Sequence, residues 1–213
     1  MTTIAVLDAN VLIPNALCDL RLRLAEEELY QPRWSPAILE EVRRHVPVSP
    51  AAIERRFAFM NAAFEDAMVT GYEALIDQMD NDPKDRHVLA AAVAAGADSI
   101  ITCNLRDFPL AACEPHGVVA EHPDVVLLDM WAREPRILLR VLGEQAASTG
   151  RHGTRLNVHQ ILDYLATAGA RRFAAAARSA SPPDGVPPLP CPTPRLPRSR
   201  DCPQAPWSGS VQG

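Results

Sequence analysis

The chain has almost no lysine. Lys84 is the only one, so every other basic residue among its 21 Lys and Arg is an arginine. Against 26 acidic residues this leaves a formal net charge of -5, which excludes a global basic footprint for nucleic acid. A local patch is not excluded, because the distribution of charge matters and not its sum. Arginine would favour bidentate phosphate contacts wherever contact is made. The five cysteines are odd in number and form no CxxC pair, so neither a disulfide framework nor a zinc site is indicated. No apolar run approaches the roughly 18 residues that a membrane helix needs. The opening MTTIAVLD enters a strand without a basic n-region, so it does not read as a signal peptide. These absences lead to the expectation of a cytoplasmic protein with no membrane contact.

What is present is ordinary for a soluble globular chain: 213 residues, 47% hydrophobic and 22% charged. That length suits one domain with a real core plus an appendage. The stretch Asp82–Pro109, DPKDRHVLAAAVAAGADSIITCNLRDFP, organises the rest. Asp82 is a good N-cap and Pro83 suits a first helical position, which places Asp85 at the third. HVLAAAVAA is a strong helix former ended by Gly96. Ser99–Thr102 reads as a short apolar strand, with Asn104 and Asp107 in the loop beyond its C-terminal end. In open α/β sheets, ligands bind at that edge.

Taken in order, residues 4–7 (IAVL) form an apolar strand that ends on Asp8, suited to a central parallel position. Asn10 follows. Residues 17–31 predict an amphipathic helix, and Pro32–Trp34 a short strand or turn. Ser35 and Pro36 start the helix SPAILEEVRRH. There Glu40 and Glu41 point about 100° apart, so only one can face a shared site. Glu41, beside the inward Val42, is the better candidate. Residues 50–79 predict two helices broken at Gly71, and residues 118–120 (VVA) a strand. Helical material follows to about residue 180, and His152 and His159 read as surface residues. From Ser181 the chain is rich in Pro, Arg, Ser and Gly without periodicity, which predicts disorder. Its PxxP-like spacing is weaker support for a polyproline ligand than for an unselected extension. Short parallel strands separated by helices predict an α/β sandwich.

Four acids stand at strand ends or helix starts: Asp8, Glu41, Asp85 and Asp107. Singly, each has a plainer role. Asp8 suits an Asx-turn or N-cap, Glu41 a solvated helix face, and Asp85 an acidic capping box with Asp82. Together they suggest a carboxylate cluster. Crowded like charges raise each other's pKa unless a cation neutralises them. A hard divalent ion, Mg²⁺ or Mn²⁺, answers that need. Two such ions about 4 Å apart could activate water and stabilise a leaving phosphodiester oxygen.

The blocks IAVLDANVLIP, SPAILEEVRR and DPKDRHVLAAAVAAGADSIITCNLRDFP resemble the PIN-domain family, and within it the VapC-like toxins of toxin–antitoxin pairs. The third block is the most specific, with Asp-x-x-hydrophobic-x-Ala-Ala followed by Thr-x-Asn-x-x-Asp-Phe. The resemblance implies a three-layer sandwich with a short central parallel sheet over residues 1–122. A helical extension over 123–180 and a Pro-rich tail over 181–213 would follow. It implies a ribonuclease whose Asp8, Glu41, Asp85 and Asp107 bind Mg²⁺ or Mn²⁺, with Asn10 and Asn104 as supporting residues. It also implies RNA as substrate, a homodimer, and a cognate antitoxin partner. A haloacid-dehalogenase-like phosphatase would need a second acid where Asn10 stands. A receiver-type fold lacks its third-strand aspartate and late lysine. A non-catalytic PIN-like module binding RNA or protein remains the alternative from another class.

Overall fold

A computed structural model of the chain describes residues 2–150 and 154–180. The disorder expected after Ser181, along with His152, Cys191 and Cys202, falls outside the described residues. A four-stranded parallel sheet lies at the centre, in the order β2-β1-β3-β4. Its strands are β1 (Ile4–Leu7), β2 (Gln31–Arg33), β3 (Ser99–Ile101) and β4 (Val119–Glu121). Val6, Leu7, Ile100 and Ile101 are buried, as central parallel strands covered on both faces require. Ala5 pairs with Ser99 and Leu7 with Ile101, so β1 and β3 run in register.

From β1 the chain moves outward to β2 through α1 (Ala9–Leu12) and α2 (Asn15–Glu26). It then crosses to the other side of β1 through α3 (Pro36–His45), α4 (Pro50–Ala63) and α5 (Arg86–Ala94) to reach β3. Right-handed crossovers that leave in opposite directions put their helices on opposite faces of the sheet, which makes a three-layer α/β sandwich. They also open a crevice between the C-terminal ends of β1 and β3, the switch point where such folds bind ligands.

Local chemistry explains the helices that frame this crevice. Ser35 Oγ accepts from the Ile38 amide, Pro36 occupies the first turn, and Arg43, Arg44 and His45 complement the helix dipole of α3 at its end. Ile38, Leu39 and Val42 form its buried face. In α5, Val88, Leu89 and Ala90–Ala92 are all buried, and the small alanines let the helix lie close against β1 and β3. Gly96 ends α5 with φ +57°, a conformation that favours glycine.

The remaining helices are α6 (Leu110–Cys113), α7 (Pro123–Arg133), α8 (Pro135–Ser148), α9 (Val158–Thr167) and α10 (Arg171–Ala180). Helices α8 and α9 pack on α2, and α10 packs on α7 and α9. Phe173 of α10 is fully buried edge-on to Trp131, and buried Asp124 accepts from the Arg172 and Phe173 amides.

Four expectations need correction. Helix α5 starts at Arg86 and not after Asp82; Asp82 instead shapes a turn, accepting from the Lys84 amide through its side chain and from the Asp85 amide through its carbonyl. Tertiary contact from the 104–107 loop holds that turn, with the Asp82 amide donating to the Asp107 carbonyl. The helix predicted over 50–69 stops at Ala63, and Glu73–Gln78 is a 3₁₀ helix. Trp34 explains the early stop: it is fully buried and pairs with the 67–69 segment, which must therefore be extended. The helix expected over 17–31 ends at Glu26, whereas the short strand or turn expected at 32–34 is borne out as strand β2 with Trp34 just beyond it.

Candidate metal-carboxylate site

Asp8 ends β1 and caps α1, so the plain role and the cluster role fall on the same residue. Its Oδ1 accepts from the Ala9 amide at 2.6 Å. Its Oδ2 accepts from Thr102 Oγ1 at 2.7 Å and from Asn10 Nδ2 at 2.5 Å. Asn10 also donates to Thr102 Oγ1 at 3.0 Å and accepts from the Cys103 amide at 2.9 Å, tying the β1 loop to the β3 loop. Thr102 Oγ1 in turn accepts from the Asn104 amide at 3.0 Å. Asp8 and Thr102 are both buried, which explains why every hydrogen-bonding atom here is spoken for.

Asp85 sits just before α5 with no capping bond from its side chain, so no acidic capping box forms and its carboxyl is left for the crevice. It is buried at 8% exposure. Asn104 Nδ2 donates to Asp107 Oδ2, and Lys84 Nζ stands 2.7 Å from that oxygen and 3.9 Å from Asp85 Oδ2. Burial pushes the Asp85 carboxyl from 3.8 up to about 7, helped by a hydrogen bond with Asp107 and the charge of Asp8, against the pull of Lys84. Lys84 holds Asp107 below the usual carboxylate range. Of the two, Asp85 is the more readily protonated. Burial also raises Asp8, opposed by the Thr102 hydroxyl and the Ala9 amide, with Glu41 adding to the rise and His87 opposing it.

The two adjacent glutamates of α3 separate as the helix geometry requires. Glu40 is taken by Arg43 and Arg44 on the outer face. Glu41 reaches inward, with Oε2 4.0 Å from His87 Nε2. His87 Nδ1 lies 3.0 Å from the Lys84 carbonyl, an acceptor only, so Nδ1 is the donor of that hydrogen bond. Nε2 is buried without a hydrogen-bond partner. It faces a carboxylate oxygen across a gap that a cation or a water would bridge.

Among the described residues, no three His, Cys, Asp or Glu side chains are grouped so as to hold a metal ion as they stand. The donor chemistry nevertheless fits a hard divalent ion. Mg²⁺ keeps several of its waters and uses one or two carboxylates. The Asp85–Asp107 pair, and the orphaned ring nitrogen facing Glu41, supply such partial sets. Asp8, Asp85 and Asp107 interact electrostatically, and Glu41 joins them through Asp8.

Residues 5–106 match a family model described as PIN domain. Over 63 residues the chain is 52% identical to a protein of Mycobacterium tuberculosis (strain ATCC 25618 / H37Rv) named "Putative ribonuclease VapC50". Residues 5–106 carry a PIN-domain match, and the stretch shared with that relative resembles a VapC-like protein. The aligned part is 30% of this chain and 37% of that relative's length, so the chain spans little more than a third of the curated relative it matches. No solved structure matches it. The PIN-domain match takes in Asp8, Glu41, Asp85 and Asn104 and stops just short of Asp107.

Three residues that sequence reasoning left out belong to the PIN-domain crevice: Thr102, Lys84 and His87. Thr102 stood in the Thr-x-Asn-x-x-Asp-Phe pattern, but nothing local tells that its hydroxyl reaches Asp8. The signal for Lys84 was its solitude, one lysine in an acidic turn. His87 follows Asp85 closely enough to share its end of α5, which a helix-start reading could have found.

Proposed function

We propose that the protein is a metal-dependent endoribonuclease, the toxin of a toxin–antitoxin pair, hydrolysing RNA phosphodiester bonds at the Asp8, Glu41, Asp85 and Asp107 cluster. The observation that carries this reading is Asp85. Its buried carboxyl has no capping bond and stands with Asp107 around one lysine ammonium and near Asp8, a grouping of acids that calls for a cation. The relative's printed name, a ribonuclease, supports the same chemistry.

Asp8, Asp85, Asp107 and Glu41 would hold Mg²⁺ or Mn²⁺, which when bound would supply charge neutralisation for the phosphate and a water of lowered pKa. The chain's own part is positioning. Asn10, Thr102 and the Ala9 amide fix the Asp8 carboxylate in one orientation. Asn104 does the same for Asp107. Asp85 would have to be deprotonated to hold the ion, so its raised pKa would make ion binding weaker at lower pH. No side-chain nucleophile is required. The proposal extends to a homodimer in the cytoplasm and to an antitoxin that covers the crevice. An antitoxin arginine would be a physically sensible inhibitor, because its charge substitutes for that of the ion.

Cleavage of labelled RNA with Mg²⁺ or Mn²⁺ tests this, comparing the wild type with D8N and with EDTA. Metal-dependent cutting lost in D8N is the expected result. Absence of both cutting and metal binding would leave the non-catalytic PIN-like module in its place.

A further inference from the structure

We propose that Lys84 is a displaceable counter-ion: its ammonium occupies the cation's place between Asp85 and Asp107 in the metal-free protein and leaves when a divalent ion binds. The inference rests on the metal site proposed above and adds a residue to it.

Geometry carries the argument. Lys84 Nζ stands 2.7 Å from Asp107 Oδ2 and 3.9 Å from Asp85 Oδ2. Among the described residues no other cation forms an ion pair with either carboxylate. A divalent ion on the same oxygens would meet the ammonium at contact distance, where like charges repel strongly. The two cannot share the pair.

The backbone of Lys84 is pinned, while its side chain is held only by the carboxylates at its tip. Its amide donates to Asp82 Oδ1 at 3.1 Å, and its carbonyl faces His87 Nδ1 at 3.0 Å. The side chain is 63% exposed on an unbranched stem. It can swing into solvent by rotamer changes alone, leaving the turn and Asp85 in place. The ion's affinity is then set by competition with a tethered amine, and Lys84 tunes it.

Because Lys84 is the chain's only lysine, it can be followed directly. Mn²⁺ binding is measured by calorimetry on the full chain for wild type, K84M and K84R. The expected result is that K84M binds Mn²⁺ about fivefold more tightly, the scale of one exposed ion pair removed from competition. K84R, which keeps the charge, binds no more tightly than wild type. In wild type, Mn²⁺ should also speed acylation of the Lys84 amine by an amine-reactive reagent, read by peptide mass spectrometry. Equal or weaker Mn²⁺ binding by K84M, or an acylation rate indifferent to Mn²⁺, overturns the counter-ion role while leaving the metal site standing. No Mn²⁺ binding by any of the three proteins overturns both.

Discussion

Thr102 and Asp8 lie at the ends of neighbouring strands, 94 residues apart in the chain, and the threonine hydroxyl donates to the aspartate at 2.7 Å. Thr102 is fully buried and Asp8 nearly so. A valine at 102 keeps the shape and removes the donor. T102V should therefore lose about 1–3 kcal/mol of stability, the usual cost of leaving a buried acceptor short of a partner. It should also raise the Asp8 pKa further, since the hydroxyl now lowers it. Chemical denaturation and a carboxyl NMR titration check the two parts, and unchanged values in both would refute the account.

Asp85 makes a pH prediction whose sign follows from its raised pKa. In the folded protein its carboxyl is pushed from 3.8 to about 7, so the folded state holds a proton that the unfolded state has released. Stability from this group is complete below the unfolded value and is lost as pH rises through the folded one. In metal-free buffer, D85N should gain on wild type in denaturation midpoint between about pH 4 and about pH 8. A gap that stays constant with pH would contradict the shift.

The neighbouring glutamates of α3 should behave oppositely. Glu40 is engaged by Arg43 and Arg44, whereas Glu41 faces His87 and acts on Asp8. If the proposed ion sits in this crevice, E41Q weakens Mn²⁺ binding by about tenfold, the scale seen when a group supporting a metal site is lost. E40Q leaves it unchanged. Calorimetry on the two variants decides it, and the reverse ranking would move the site to the other register.

Phe173 tests whether the C-terminal helices fold with the sheet. It is fully buried against Trp131, and its amide is held by Asp124. F173A should cost about 3–5 kcal/mol, as large-to-small changes in a core do. If residues 123–180 fold as one unit with the PIN domain, wild type and variant each unfold in a single transition. Two separable transitions in the variant would mark the helices as a unit of their own.

Much of this protein is legible locally. An apolar run ending on Asp8, Ser35-Pro36 before an amphipathic stretch, and alanines before Gly96 each carry their own physics, because strand burial, capping and helix termination act over a few residues. These features locate the parallel sheet and its helices, and they place Asp8 and Asp107 beyond the C-terminal ends of β1 and β3. Tertiary structure decided the rest. Asp85 leaves the helix because the 104–107 loop holds the Asp82 turn through the backbone. The predicted 50–69 helix ends at Ala63 because Trp34 must pair with the segment beyond it. Thr102, Lys84 and His87 enter the crevice through hydrogen bonds and charges. Those interactions depend on where side chains point across strands far apart in sequence, and no local pattern records that direction.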